Sequence, residues 1–167
     1  MDVFPEARVE RFEQLKPGDL FLAEIAGHKM AALKACEDRP DGDKLMTLLG
    51  PTFPSHIRAG QLVQWERLTV LNLGSDFTLE LPAQPEKWSP EAPAPDCLAI
   101  VQTPDGVFVR TYFHDVRGLE QWVAMEGGAV VKPHYDLVMY TTRWALSVRN
   151  TYGERFPVIE LAPLSAS

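Results

Sequence analysis

Apolar and polar positions alternate along much of the chain, and the alternation is punctuated by glycine, proline, asparagine and aspartate. A period of two is the pattern of half-buried β-strands. It is plain in Phe77-Thr78-Leu79-Glu80-Leu81, and in 45–49, where Leu45, Thr47 and Leu49 face one way and Met46 and Leu48 the other. The strongest signal spans 96–113. Two β-rich runs flank Thr103-Pro104-Asp105-Gly106, where proline presets a turn's second position and glycine accepts positive φ at its end. That predicts a β-hairpin. A second hairpin is predicted from 20–25 and 29–35 around Ala26-Gly27-His28. A third joins 68–73 to 77–81 through Gly74-Ser75, because glycine leads a type II′ turn.

Two stretches read as helical. Val9, Phe12 and Leu15 recur at three-residue spacing behind Pro5-Glu6, predicting a short helix or helical turn within 3–15. Val116, Leu119 and Val123 fall at helical spacing within 114–126, with Asp115 to cap the start and Gly127-Gly128 to end it. Beyond that lie a short strand at 129–132, one long extended stretch at 135–149, and a returning strand at 156–161. Pro157 assigns the last to a sheet edge, since proline cannot donate to a ladder. The segments 19–35 and 96–112 echo each other in order but not in side chains, and are read as two hairpins rather than a duplication.

The expected fold is therefore α+β and mostly β. It is a small barrel or strongly bent antiparallel sheet of about nine short strands, with one or two short helices. One compact domain is expected over 1–167, divisible into halves 1–81 and 96–167. Residues 82–95 hold five of the fourteen prolines and read as a stiff connector.

Charge narrows the partners. Sixteen basic against twenty-three acidic residues give −7, which repels phosphate backbones and argues against nucleic acid. No run approaches the ~18 apolar residues of a membrane span, and the acidic, proline-broken start lacks a secretory pattern. A cytoplasmic protein of bacterial type is expected. Cys36 and Cys97 then read as small buried hydrophobes rather than a disulfide.

Candidate chemistry is sparse. His114-Asp115 and His134-Tyr135-Asp136 pair imidazoles with carboxylates around the predicted helix, and zinc takes three or four such ligands. His114, Asp115, His134 and Asp136 are thus the candidate metal ligands, although no His-Glu-x-x-His or Cys-x-x-Cys spacing supports them. Ser55-His56 are merely adjacent, and a triad needs partners that meet in space. Arg110 sits on the returning strand of the central hairpin, where a lysine could activate a serine. Arginine stays protonated and cannot act as that base. No phosphate-binding glycine loop is present, and no cofactor is implied. Trp88, alone among the prolines, either docks the connector or meets a partner. The sequence leans against an enzyme. It favours a non-enzymatic protein-binding or assembly module, with a protein partner or self-association into a homo-oligomer. A small metal-dependent hydrolase built on the His/Asp pairs is the alternative, and a small-ligand-binding barrel the second.

Overall fold

The computed structural model describes residues 7–36, 45–51, 60–65, 67–82, 89–94, 97–113, 119–134 and 137–161. The candidate residues His114, Asp115, Asp136 and Trp88 lie outside them. Fourteen strands are present among the described residues, and helix is confined to one 3₁₀ turn at Phe12–Gln14. The first seven strands are β1 (Arg8–Arg11), β2 (Leu20–Ile25), β3 (His28–Ala35), β4 (Leu45–Pro51), β5 (Gln61–Gln64), β6 (Thr69–Gly74) and β7 (Phe77–Glu80). The second seven are β8 (Ile100–Thr103), β9 (Gly106–Phe113), β10 (Glu120–Ala124), β11 (Val130–Val131), β12 (Met139–Thr141), β13 (Trp144–Arg149) and β14 (Arg155–Leu161).

Eleven strands form one sheet along the path β1-β6-β2-β3-β4-β5-β9-β10-β11, with β8 paired to β9 and β12 paired to β8. The remaining three form a sheet in the order β14-β13-β7. The ladders do not close into a barrel. The sheet curls instead, so that the end of β3 meets the start of β11 through one parallel bridge, Cys36 with Ala129.

Two of the three predicted hairpins are realised. Leu20–Ile25 returns as His28–Ala35 through Ala26 and Gly27, both at positive φ (51° and 78°), as a type I′ turn requires. Thr103 pairs with Gly106 across Pro104-Asp105. The two-faced reading of β4 also holds. Leu45 and Leu49 enter the central cluster, while Met46 and Leu48 enter a separate one. Pro157 lies on edge strand β14 at a register shift opposite Ser147.

Several expectations are corrected. About nine strands become fourteen among the described residues, and of the short helix or helical turn within 3–15 the described residues show only the turn, behind strand β1. The described part of the 114–126 helix is strand β10, where Val123 and Trp122 enter different clusters and Leu119 is exposed. A strand buried on both faces produces a dense apolar run that periodicity cannot tell from a helix. The third hairpin does not form. Gly74 turns at φ 78°, its N–H held by the Asn72 side-chain oxygen (2.8 Å), and β6 and β7 join different sheets. The stretch 135–149 breaks after Thr141 for the same reason, since β12 and β13 belong to different sheets.

The echo between halves runs much deeper than two hairpins. Strands β2 to β5 pair as β8 to β11 do. Lys34 pairs with Met46 and Leu33 with Thr47, as Arg110 pairs with Trp122 and Val109 with Val123. Thr47 then meets Leu62, as Val123 meets Val130. At the crossings between halves Gln61 runs parallel to Tyr112, as Ala129 does to Cys36. The glycine before each crossing lies against the other half. Gly60 C=O accepts the Tyr112 N–H (3.1 Å), and Gly128 C=O accepts the Cys36 N–H (2.8 Å). In the small sheet β7 and β13 exchange partners symmetrically, Phe77 with Val148 and Glu80 with Ala145. The pairing has an approximate two-fold axis between β7 and β13.

The core follows this symmetry. A central cluster draws on both halves, including Leu20, Leu33, Leu49, Ile100, Val109 and Trp144. Each half also has a satellite cluster. In the first, Phe21, Ala32, Met46 and Val70 lie under Phe12 and Leu15. In the second, Val101, Phe108, Trp122 and Val138 stand at the equivalent positions, joined by Ala99 and Tyr140.

Candidate functional site

The two satellite clusters differ in their covers. In the first half β1 runs along β6 through the pairs Arg8–Asn72, Val9–Leu71, Glu10–Val70 and Arg11–Thr69. The next residue continues the ladder, with the Phe12 N–H donating to the Leu68 carbonyl (2.9 Å). Antiparallel bonds alternate, so Glu10–Val70 and Arg8–Asn72 are the hydrogen-bonded pairs. Phe12 follows directly and is fully buried.

In the second half the incoming segment starts the same ladder and leaves it. Ser89 and Tyr140 exchange both backbone bonds (3.0 and 2.7 Å), making Ser89 the counterpart of Arg8. Pro90 comes next, at the counterpart of Val9, a position outside the hydrogen-bonded pairs. The Glu91 N–H turns to the Ser89 hydroxyl oxygen (3.1 Å), and among the described residues no backbone bond joins Glu91 to Val138. The separation leaves a half-open groove of about 430 Å³. Pro90 and Ala92 form one wall, Leu137 and Met139 the other, and buried Val138 and Tyr140 the floor. Leu137 is 80% exposed at φ +55°. A bulky residue in the left-handed region is strained, and this one presents its side chain to water. The counterpart in the first half is lined by Arg11, Glu13, Arg67, Leu68 and Thr69, so the polar pair Arg11–Thr69 corresponds to the apolar pair Ala92–Leu137.

The wall beyond Ala92 is anchored from below. Arg110, 4% exposed, donates through Nη1 to the carbonyls of Pro93 (2.7 Å) and Ala94 (3.2 Å), and through Nε to Glu120 Oε2 (2.9 Å). The other oxygen of Glu120 accepts the Trp122 indole N–H (2.8 Å). The β9–β10 register fixes this set, placing Trp122 opposite Arg110 and Glu120 opposite Tyr112. Lys34 holds the equivalent position in the first half, buried to 1%, with Nζ 3.8 Å from the centre of the Phe12 ring. Each half thus uses one buried cation to hold its incoming segment. Near Arg110, the Tyr112 hydroxyl is buried without a hydrogen-bond partner among the described residues. Burial pushes its pKa up to about 12, against the lowering by Arg110 and with smaller increases from Glu120, Tyr140 and Cys97. Such a phenol is neither a ready base nor a nucleophile at neutral pH.

Of the candidate metal ligands, His134 alone is described. Its Nε2 lies 3.0 Å from Asp105 Oδ2 on the central hairpin's turn, and its ring centre lies 5.3 Å from that of Trp122. Among the described residues no group of three or more His, Cys, Asp or Glu could hold a metal ion. No disulfide joins Cys36 and Cys97. No helix among the described residues is long and apolar enough to cross a membrane. Sequence reasoning missed Leu137, Met139 and the Arg110 clamp. The proline-rich run 82–95 carried the nearest signal, a composition unsuited to a continuous ladder.

No protein-family model, curated protein or solved structure matches the chain.

Proposed function

We propose that the protein is a non-enzymatic protein-binding module whose partner seats apolar side chains in the groove between 90–92 and 137–140. The carrying observation is Leu137, 80% exposed in a strained conformation beside Met139, Pro90 and Ala92. Strained backbone concentrates where function requires it. Arg110, buried and bonded to Glu120 and two carbonyls, supports a structural rather than a chemical role for the polar residues nearby. A reducing cytosol suits this reading, with neither cysteine in a disulfide.

The test is site-specific photocrosslinking from position 137 of the full chain in cells, with exposed Tyr152 as the control position. A discrete protein product from 137 and none from 152 is expected. The purified pair should then lose at least about tenfold in affinity with Leu137→Asp, a cost of ~1.4 kcal/mol. A product joining two copies of this chain would make it an assembly module by the same surface. No discrete product, or an affinity unchanged by Leu137→Asp, overturns the proposal.

A further inference from the structure

Strand β1 ends the eleven-stranded sheet, and among the described residues no strand pairs with its outer edge. We infer that this edge is a self-association surface. Strand β1 pairs antiparallel with β1 of a second copy of this chain, about a two-fold axis at Val9. The surface is separate from the groove, and the inference does not rest on the groove's role.

The backbone supplies the bonding groups. Arg8 and Glu10 turn their N–H and C=O groups inward to β6, so Val9 and Arg11 turn theirs outward. The Arg11 N–H is taken by the Gln14 side-chain oxygen (2.9 Å), which leaves Val9 as the centre of the edge. The Val9 side chain is 75% exposed, the one apolar residue of a strand that otherwise carries Arg8, Glu10 and Arg11. Charged residues on an edge ordinarily discourage pairing. Here their order favours one partner. In an antiparallel pair centred on Val9, the two Val9 residues exchange both backbone bonds. Arg8 then stands opposite Glu10 of the second copy, and Glu10 opposite Arg8 of the second copy. These flanking positions are the pairs without backbone bonds, where opposed side chains lie closest and opposite charges attract. Arg8 is exposed, and Glu10 is held in place by the Asn72 side-chain amide, which donates to its Oε2 (3.1 Å). The neighbouring registers set Arg8 against Arg8 or Glu10 against Glu10, and like charges directly opposite repel. Charge complementarity thus selects a second copy, and selects this register.

The test is sedimentation of the full-length protein between about 1 μM and about 1 mM. Four residues make a small contact, so a weak dimer that dissociates on dilution is expected. Arg8→Glu and Glu10→Arg each set like charges opposite one another, and each should weaken dimerisation at least about tenfold. The two substitutions together restore opposite charges and should return the affinity to within about threefold of the original. A purely structural role for either residue would not give that rescue. Amide hydrogen exchange of the unsubstituted protein is the second readout, with the Val9 amide slowed at least about tenfold from the lowest to the highest concentration. A monomer at every concentration overturns the inference. So does a dimer indifferent to the single substitutions, a double substitution without rescue, or a Val9 amide equally protected throughout. A dimer lost with Leu137→Asp but unmoved by the charge reversals would place self-association in the groove and overturn pairing through β1.

Discussion

The two halves pair their strands alike and bury both satellite clusters, yet a continuous ladder covers the first while the segment over the second leaves its ladder. In the first, β1 runs a full ladder on β6 and ends in Phe12, which is buried over Phe21 with ring centres 5.7 Å apart. In the second, the ladder stops after Ser89, and the segment is held by Arg110 at Pro93 and Ala94. The contrast teaches that a repeated framework can hold equivalent covers in two ways, by a backbone ladder in one copy and by a buried side-chain clamp in the other. Burying a phenylalanine contributes about 2–3 kcal/mol, which the first half gains from Phe12.

The framework itself is the most fragile common element, and the largest effects are expected there. At Gly128, φ +65°, an added Cβ would lie 2.3 Å from the Lys34 carbonyl oxygen and 2.5 Å from the Gly18 nitrogen. At its counterpart Gly60, φ +71°, the nearest atom would be the Arg110 carbonyl oxygen at 2.7 Å. These obstacles are backbone and cannot swing away. Gly128→Ala should destabilise by more than about 4 kcal/mol and Gly60→Ala by somewhat less, measured by denaturant unfolding. A mild effect at either would break the claim that both crossings are backbone-tight.

Removing the first half's cover comes next. Phe12→Ala should cost about 3–4 kcal/mol and expose a groove like that of the second half, with chemical denaturation and a fluorescent apolar dye as readouts. Below it stands the clamp. Glu120→Ala leaves the buried Arg110 without its carboxylate and should cost about 3 kcal/mol, with faster amide exchange confined first to 89–94. Global unfolding without that local stage would contradict the clamp's role in holding the connector.

How much of this the sequence disclosed follows from how local each signal is. The turn at Pro104-Asp105 and the two faces of β4 are written in neighbouring residues, and both were legible. Gly74 was legible as a turn but not as a corner between sheets, because what pairs with Phe77 is Val148, far along the chain. Trp122 and Val123 read as helix because burial on both faces erases the strand period. The two-fold pattern was hidden by side chains that differ at equivalent positions, Lys34 for Arg110 and Met46 for Trp122. The groove was least legible of all, since Leu137 looks like any core leucine until its backbone is seen at φ +55°. The proposed metal residues other than His134 lie outside the described residues.

The smallest effect on stability sharpens the comparison most for function. Leu137→Asn relieves a left-handed leucine, since asparagine tolerates that region. It should stabilise the fold by about 1 kcal/mol in thermal unfolding while weakening partner capture. Stabilisation with undiminished binding would detach the strain from function.

The most direct measurement compares two amides in the free, full-length protein. The account holds that Val70 is bonded to Glu10 in a complete ladder and that the equivalent Val138 faces an open edge. Native-state hydrogen exchange should therefore find Val138 at least about a hundredfold faster than Val70. Equal protection at the two positions would mean that both covers are closed, and would contradict the account at its centre.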